Sequence, residues 1–493
     1  MLFHRLDFLL FFVAVLLVYP LLRRRAQNVW LLAASYFFYA MWDWRFLGLL
    51  LLSTLVDFLV GGTIEARRGP AKVWLAVSIV VNLGILAAFK YAGFFVESFV
   101  NLLASAGLDV SVHVPALILP VGISFYTFQS MSYTIDVYRG ETGAQFPSDF
   151  GPTVRSAIGR TLSCFVDFAL YVAFFPQLVA GPIERSTRLL GQIVRPRRQT
   201  AALISQGCWL FALGLVMKIG IADEVAPQVD AAFAHPAGHG LAALYAATLG
   251  FAIQIYCDFA GYSYMARGVA AMLGFNLMIN FRQPYLARSF SDFWRRWHIS
   301  LSTWIRDYLY IPLGGNRVSS GRTYVNVLVV MALAGLWHGS AWAFVMWGLL
   351  HGTFLALERR FAPSGVSADA TTPQTRGNSL LTLVYGLVVF HGVLLGWFLF
   401  RIGSLSDLTY FEWDVASAAV ASSPLPFPFP EALPFLNFAA LFVVYEWPCR
   451  RADRELGPRE FHFGHRLLLY LTLGAILLST GGQADAPFIY FQF

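Results

Sequence analysis

His338 lies in GLWHGSAWAFVMWGLLHG, residues 335–352, an almost wholly apolar run whose only titratable side chains are His338 and His351. Burying an imidazole in hydrocarbon costs on the order of several kcal/mol unless it is paired or lines a wet cavity, so His338 marks a functional position. His351, 13 residues on and near a segment end, can reach the interface and reads as structural. His298 stands 40 positions upstream of His338, in SFSDFWRRWHISLSTWIRDYLYIPLGGN, residues 289–316. The sequence shows no serine or cysteine nucleophile motif, so the chemistry open to these imidazoles is general-base catalysis. A neutral histidine removes the proton of a hydroxyl as its oxygen attacks an activated acyl group.

Residues 289–310 read as one amphipathic helix at about 100° per residue. Phe290, Phe293, Trp294, Trp297, Leu301, Trp304 and Tyr308 share a face, Arg295 and Arg306 lie opposite, and His298 sits at the boundary. Ser289 or Ser291 supplies the N-cap. Two readings stand: a surface-lying membrane helix in which His298 is incidental, or a basic site. Arg282, Arg288, Arg295, Arg296, Arg306, Arg317 and Arg322 crowd this region against Asp292 and Asp307 alone, and guanidinium groups match phosphate oxygens bidentately. Asp258, inside another apolar segment, either orients a histidine or makes a helix–helix hydrogen bond. Lys90 and Lys218, at segment ends, read as snorkelling residues. The LGGN turn, 313–316, is too weak a pattern for a phosphate loop.

The elements that must hold these groups are membrane helices. Of 493 residues 57% are hydrophobic and only 13% charged, about half the charge of a soluble protein. Windows approaching the roughly 20 apolar residues needed to cross a bilayer lie near 6–22, 29–42, 46–62, 73–92, 116–136, 164–182, 201–221, 240–262, 326–340, 341–357, 380–400, 433–448 and 466–480. Those at 116–136 and 326–357 contain Pro, Gly or His and read as broken or re-entrant helices buried in protein. Arg23, Arg24 and Arg25 follow the first run rather than precede it, so it is retained, with residue 1 outside and the arginines cytoplasmic. The net charge of +7 is spread over short loops, which fits topology and anionic headgroups and not nucleic acid. Cys164, Cys208, Cys257 and Cys449 form no metal-ligand pattern, and no metal site is expected. The chain reads as one membrane domain, 1–493, with a catalytic middle at about 250–352 and no separate soluble domain.

FWRRWHISLSTWIRDYLYIPLGGNR (293–317), GLWHG (335–339), LPVGISFYTFQSMSYTIDVYRG (119–140), FFPQLVAGPIER (174–185) and NFRQPYLARSFSDFW (280–294) resemble the membrane-bound O-acyltransferase family. The closest similarity is to its bacterial alginate and polysaccharide O-acetyltransferase branch, over nearly the whole chain. The resemblance implies an all-α polytopic fold of about 11–13 transmembrane or re-entrant helices around a central tunnel, in a bacterial inner membrane. It implies cytoplasmic acetyl-CoA as donor substrate, no permanently bound cofactor, an extracytoplasmic partner, and a polysaccharide acceptor. His338 matches the family's diagnostic histidine and His298 the second. Arg295, Arg296 and Arg306 with Trp294 and Trp304 are the expected donor contacts, and Asp258, Asn280 and Trp337 the expected substrate contacts. YSYMARG stands where relatives typically read YSDMAIG, with Tyr264 replacing an acid and Arg267 added. The stretch 141–163 looks longer than usual and reads as an interfacial element or partner contact. The competing expectations are a proton-coupled transporter or export subunit using His338 and Asp258, and an acyltransferase with another donor or acceptor, such as D-alanyl to teichoic acid, lipid or protein.

Overall fold

A computed structural model of the chain describes residues 1–67, 69–112, 117–143, 154–178, 181–234, 241–361, 379–402, 429–480 and 488–489. The described residues form helices and no strand, as the apolar windows require. Seven stretches among them are long and apolar enough to cross a membrane, and Leu6–Leu21 and Phe463–Leu478 are shorter apolar helices. Residues 144–153 of the proposed extension at 141–163 lie outside the described residues, as do most of the polar stretches at 359–379 and 402–432, while 154–163 belong to helix Val154–Ala173.

The chain forms two compact units, Met1–Phe211 with Ala266–Met278, and Ala212–Met265 with Ile279–Phe493. In the first, polar residues of apolar helices satisfy one another. Asp57 accepts from Ser78 Oγ at 2.6 Å, from Asn82 Nδ2 at 2.9 Å and from the Ser130 hydroxyl, all four residues being buried. In hydrocarbon an unmade hydrogen bond has no water to replace it, so such a carboxylate is tolerable only when several donors converge on it. The window 116–136 is broken as expected. Residues 117–122 are non-helical, Gly122 takes φ +75°, and the helix Ile123–Arg139 that follows is buried along nearly its whole length.

In the second unit the window 326–357 becomes a helical hairpin. Helix Ser320–His338 turns through three residues into helix Trp342–Phe361. Glycines let the two backbones touch: a Cβ on Gly335 would lie 2.0 Å from the Phe344 carbonyl oxygen, and one on Gly348 2.1 Å from that of Met331. Only the hydrogen of glycine fits so close an approach. We therefore expect Gly348→Ala to destabilise the protein by about 1–3 kcal/mol or more through overpacking. It should lower the thermal midpoint in detergent, whereas Gly474→Ala, with nothing within 4 Å of its Cβ, leaves the midpoint unchanged.

The single helix expected over 289–310 is not formed. Helix Phe290–Arg296 ends at Trp297, which is extended, and His298 takes the left-handed conformation with φ +44° before helix Ile299–Ile305 begins. Trp297 and His298 are fully buried, so this segment folds into the core and does not lie along a surface. The polar and apolar faces continue in register across the break, which is why the pattern alone does not reveal it.

Candidate active site

His338 is the last residue of helix Ser320–His338 and ends at the hairpin turn, where the chain gives up its helical hydrogen bonds. It is 3% exposed. Its ring is walled by Trp337 at 5.0 Å between ring centres, Trp347 at 5.1 Å and Phe400 at 5.4 Å. The ring of His298 lies 6.3 Å from that of His338 and 5.8 Å from Trp337, with Phe259 edge-on at 4.7 Å. The two histidines singled out from the sequence thus converge, together with Trp337. That spacing is too wide for one ring nitrogen to hydrogen-bond the other directly. It suits an oxygen atom held between them.

Local structure explains why His298 points where it does. Ser289 caps the preceding helix by accepting from Asp292 N at 2.9 Å, as its sequence position indicated. Glu358, 4% exposed, accepts from Phe290 N at 2.5 Å and from Ser291 N at 3.1 Å, placing a negative charge at the helix N-terminus. On the other side, Asn280 accepts from Ile299 N at 2.9 Å through its carbonyl. Its side-chain oxygen takes Ser300 N at 3.2 Å and Ser300 Oγ at 2.7 Å. Asn280 is therefore a positioning residue that fixes the turn carrying His298. Burial pushes the His298 imidazole down to about 3, because an apolar enclosure penalises the charged ring. His298 is neutral at physiological pH, able to donate a hydrogen bond from one nitrogen and accept at the other.

The remaining sequence candidates are dispersed. Arg296 is buried and committed to Asp292 at 2.8 Å and Asp453 at 3.1 Å, while Arg450 also reaches Asp292 at 3.5 Å. Arg296 thus pins two segments together. Arg295 is exposed, and Arg306 is exposed beside Asp307 at 2.8 Å. Trp304 is buried against Tyr308. Trp294 is half-buried and packs edge-on to Trp347 and His351.

The Asp258 carboxylate is engaged by Lys218 Nζ at 2.8 Å and by the Ile489 amide at 2.6 Å, not by a histidine among the described residues. Lys218 does not snorkel. Its side chain is 1% exposed and also meets Asp223 at 2.6 Å. His351 does not reach an interface either. It is fully buried among Phe293, Trp294, Trp347 and Phe354, and neither ring nitrogen has a hydrogen-bond partner among the described residues. Sequence reasoning did not single out Phe259, Trp347 or Phe400. Phe259 adjoins the Asp258 already chosen, and Trp347 lies nine residues past His338, so both signals were within reach.

Comparison with known proteins shows the family. The profile described as MBOAT, membrane-bound O-acyltransferase family, matches residues 105–398, a span containing both histidines. The chain is 42% identical to the probable alginate O-acetylase AlgI of Azotobacter vinelandii over the full length of both proteins. It is 35% identical to the peptidoglycan O-acetyltransferase of Helicobacter pylori, covering 83% of this chain and 78% of that protein. Similarity to the teichoic acid D-alanyltransferase of Streptococcus thermophilus is 29% over 48% of this chain and 56% of the relative. The chain belongs to the membrane-bound O-acyltransferase family, in its alginate O-acetyltransferase branch, and is a polytopic membrane O-acyltransferase.

Proposed function

We propose that the protein moves an acetyl group from cytoplasmic acetyl-CoA across a bacterial inner membrane, toward hydroxyls of an exported, alginate-like polysaccharide. An extracytoplasmic partner receives the group or completes the transfer. The observation that carries this reading is the pair of buried histidines, 6.3 Å apart between ring centres in an aromatic enclosure. The names of these relatives supply the acetyl group and the acceptor class. In the orientation we propose, residue 1 lies outside and Arg23–Arg25 face the cytoplasm.

His338 acts as general base. The acceptor oxygen forms the new ester bond to the acetyl carbonyl carbon as the carbon–sulfur bond breaks, His338 takes the hydroxyl proton, and the departing thiolate recovers it as free CoA thiol. His298, neutral and rigidly held, hydrogen-bonds the reacting oxygen or carbonyl. The aromatic walls exclude the water that would otherwise hydrolyse the thioester.

The test is acetyl transfer by purified protein in liposomes, followed as acetyl-CoA-dependent release of CoA thiol with labelled acetyl passing to an added hydroxyl acceptor. Release of CoA coupled to labelled ester is the expected result. Transfer of D-alanyl from a charged carrier instead, or proton-coupled flux without acyl chemistry, would overturn the reading.

A further inference from the structure

A second site with its own chemistry lies in the first unit. Residues 187–198 border a pocket of about 350 Å³ whose lining includes four arginines, Arg188, Arg195, Arg197 and Arg198, with Thr187 and Gln192. Pockets of this size hold small organic ligands. Four guanidinium groups around one cavity repel one another unless counter-charge is present, and the protein supplies little. Arg188 has the buried Glu184 at 3.8 Å. Arg195 and Arg198 are exposed and make no hydrogen bond or ion pair with a described residue. Arg197 is held by neutral acceptors: it donates to Tyr19 Oη at 3.1 Å, Ile193 O at 2.9 Å and Asn28 Oδ1 at 2.5 Å. Its guanidinium also lies 4.6 Å from the centre of the Phe275 ring. The nearby Asp167 is already engaged by Asn28 at 2.6 Å and by Arg24 at 3.7 Å. Arg197 is thus a fixed charge, and Arg195 and Arg198 are free to close on a ligand.

The same bonds tell which side of the membrane the pocket faces. Arg24 donates to Val194 O at 2.9 Å and Asn28 to Ile193 O at 3.1 Å, so the pocket loop sits against the Arg23–Arg25 turn. By the orientation above, that turn is cytoplasmic.

We propose that this pocket binds a phosphate-bearing anion at the cytoplasmic face, its oxygens taken by Arg195, Arg197 and Arg198. Two sources share that chemistry: the phosphates of a nucleotide such as CoA, and the phosphodiester headgroup of an anionic lipid. The site does not depend on which acyl donor the enzyme uses.

The test compares the full-length protein with the double variant Arg195→Gln, Arg198→Gln. A control, Arg67→Gln with Lys72→Gln, removes the same charge elsewhere in the same unit. CoA is titrated against each protein in phosphatidylcholine nanodiscs. In parallel, retained phosphatidylglycerol is counted by native mass spectrometry from mixed nanodiscs. A pocket variant that folds like the parent but binds CoA about tenfold or more weakly, with the control unchanged, assigns a nucleotide. Loss of retained phosphatidylglycerol confined to the pocket variant assigns a lipid. Pocket variant and control behaving alike in both arms overturns the site.

Discussion

Replacing His338 by glutamine should slow acyl transfer by about 10²–10⁴-fold, the range a positioned general base supplies, while donor affinity and thermal midpoint stay close to those of the parent. Glutamine keeps a polar group in the enclosure formed by Trp337, Trp347 and Phe400 but cannot take a proton. The loss should therefore appear in kcat and not in KM. His298→Gln separates the two imidazoles. Since burial pushes His298 down to about 3, its charge does not change between pH 5 and 8. An acid limb of kcat/KM in that window must survive His298→Gln. If the limb disappears in that variant, His298 is the titrating base and the roles reverse. The same depressed value makes His298 a source of acid lability. The unfolded ring takes up protons below its ordinary value of about 6.5, while the folded ring resists until about 3, so stability is full above the higher value and falls as pH drops toward the lower. A His338→Gln protein that retains the parent rate removes this mechanism altogether.

What the sequence disclosed follows from how far each signal reaches along the chain. His338 was legible because one polar group in an apolar run is anomalous without any three-dimensional information. The Ser289 cap and the broken helices at 116–136 and 326–357 were legible because caps, glycines and prolines act locally. The turn at His298 was hidden. The helix is interrupted by an extended Trp297 and a positive φ at His298, neither a glycine nor a proline, and the clamp on the turn comes from Asn280, which holds Ser300 from 20 residues away. The partner of Arg296 was hidden for a related reason: its guanidinium meets Asp453, 157 residues on. His351 was placed near an interface by its position in the segment, whereas the packing of Phe293 and Trp294 from another helix buries it. Local chemistry singled out the buried histidines; long-range pairing decided which of their neighbours are engaged elsewhere.

That distinction predicts a second large effect, at Lys218. Its Nζ lies 2.6 Å from Asp223 and 2.8 Å from Asp258, with all three side chains at most 3% exposed. Lys218→Met would leave two carboxylates buried close together with no cation, a change that costs about 3–5 kcal/mol when one partner of a buried ion pair is removed. The single variant should express poorly or melt well below the parent. Removing all three charges, as Lys218→Met, Asp223→Asn and Asp258→Asn, should recover much of the lost midpoint, because neutral amides in apolar surroundings carry a far smaller desolvation penalty than bare carboxylates. The triad also bears on the site. Asp258 accepts from the Ile489 amide and precedes Phe259, whose ring lies against His298, so it braces one wall of the enclosure. Activity per folded molecule in the triple variant should then stay within about tenfold of the parent, in contrast to the 10²–10⁴-fold loss expected at His338. A Lys218→Met protein as stable as the parent would show that the carboxylates are not charged. A triple variant that folds yet is as inactive as His338→Gln would return Asp258 to the catalytic machinery.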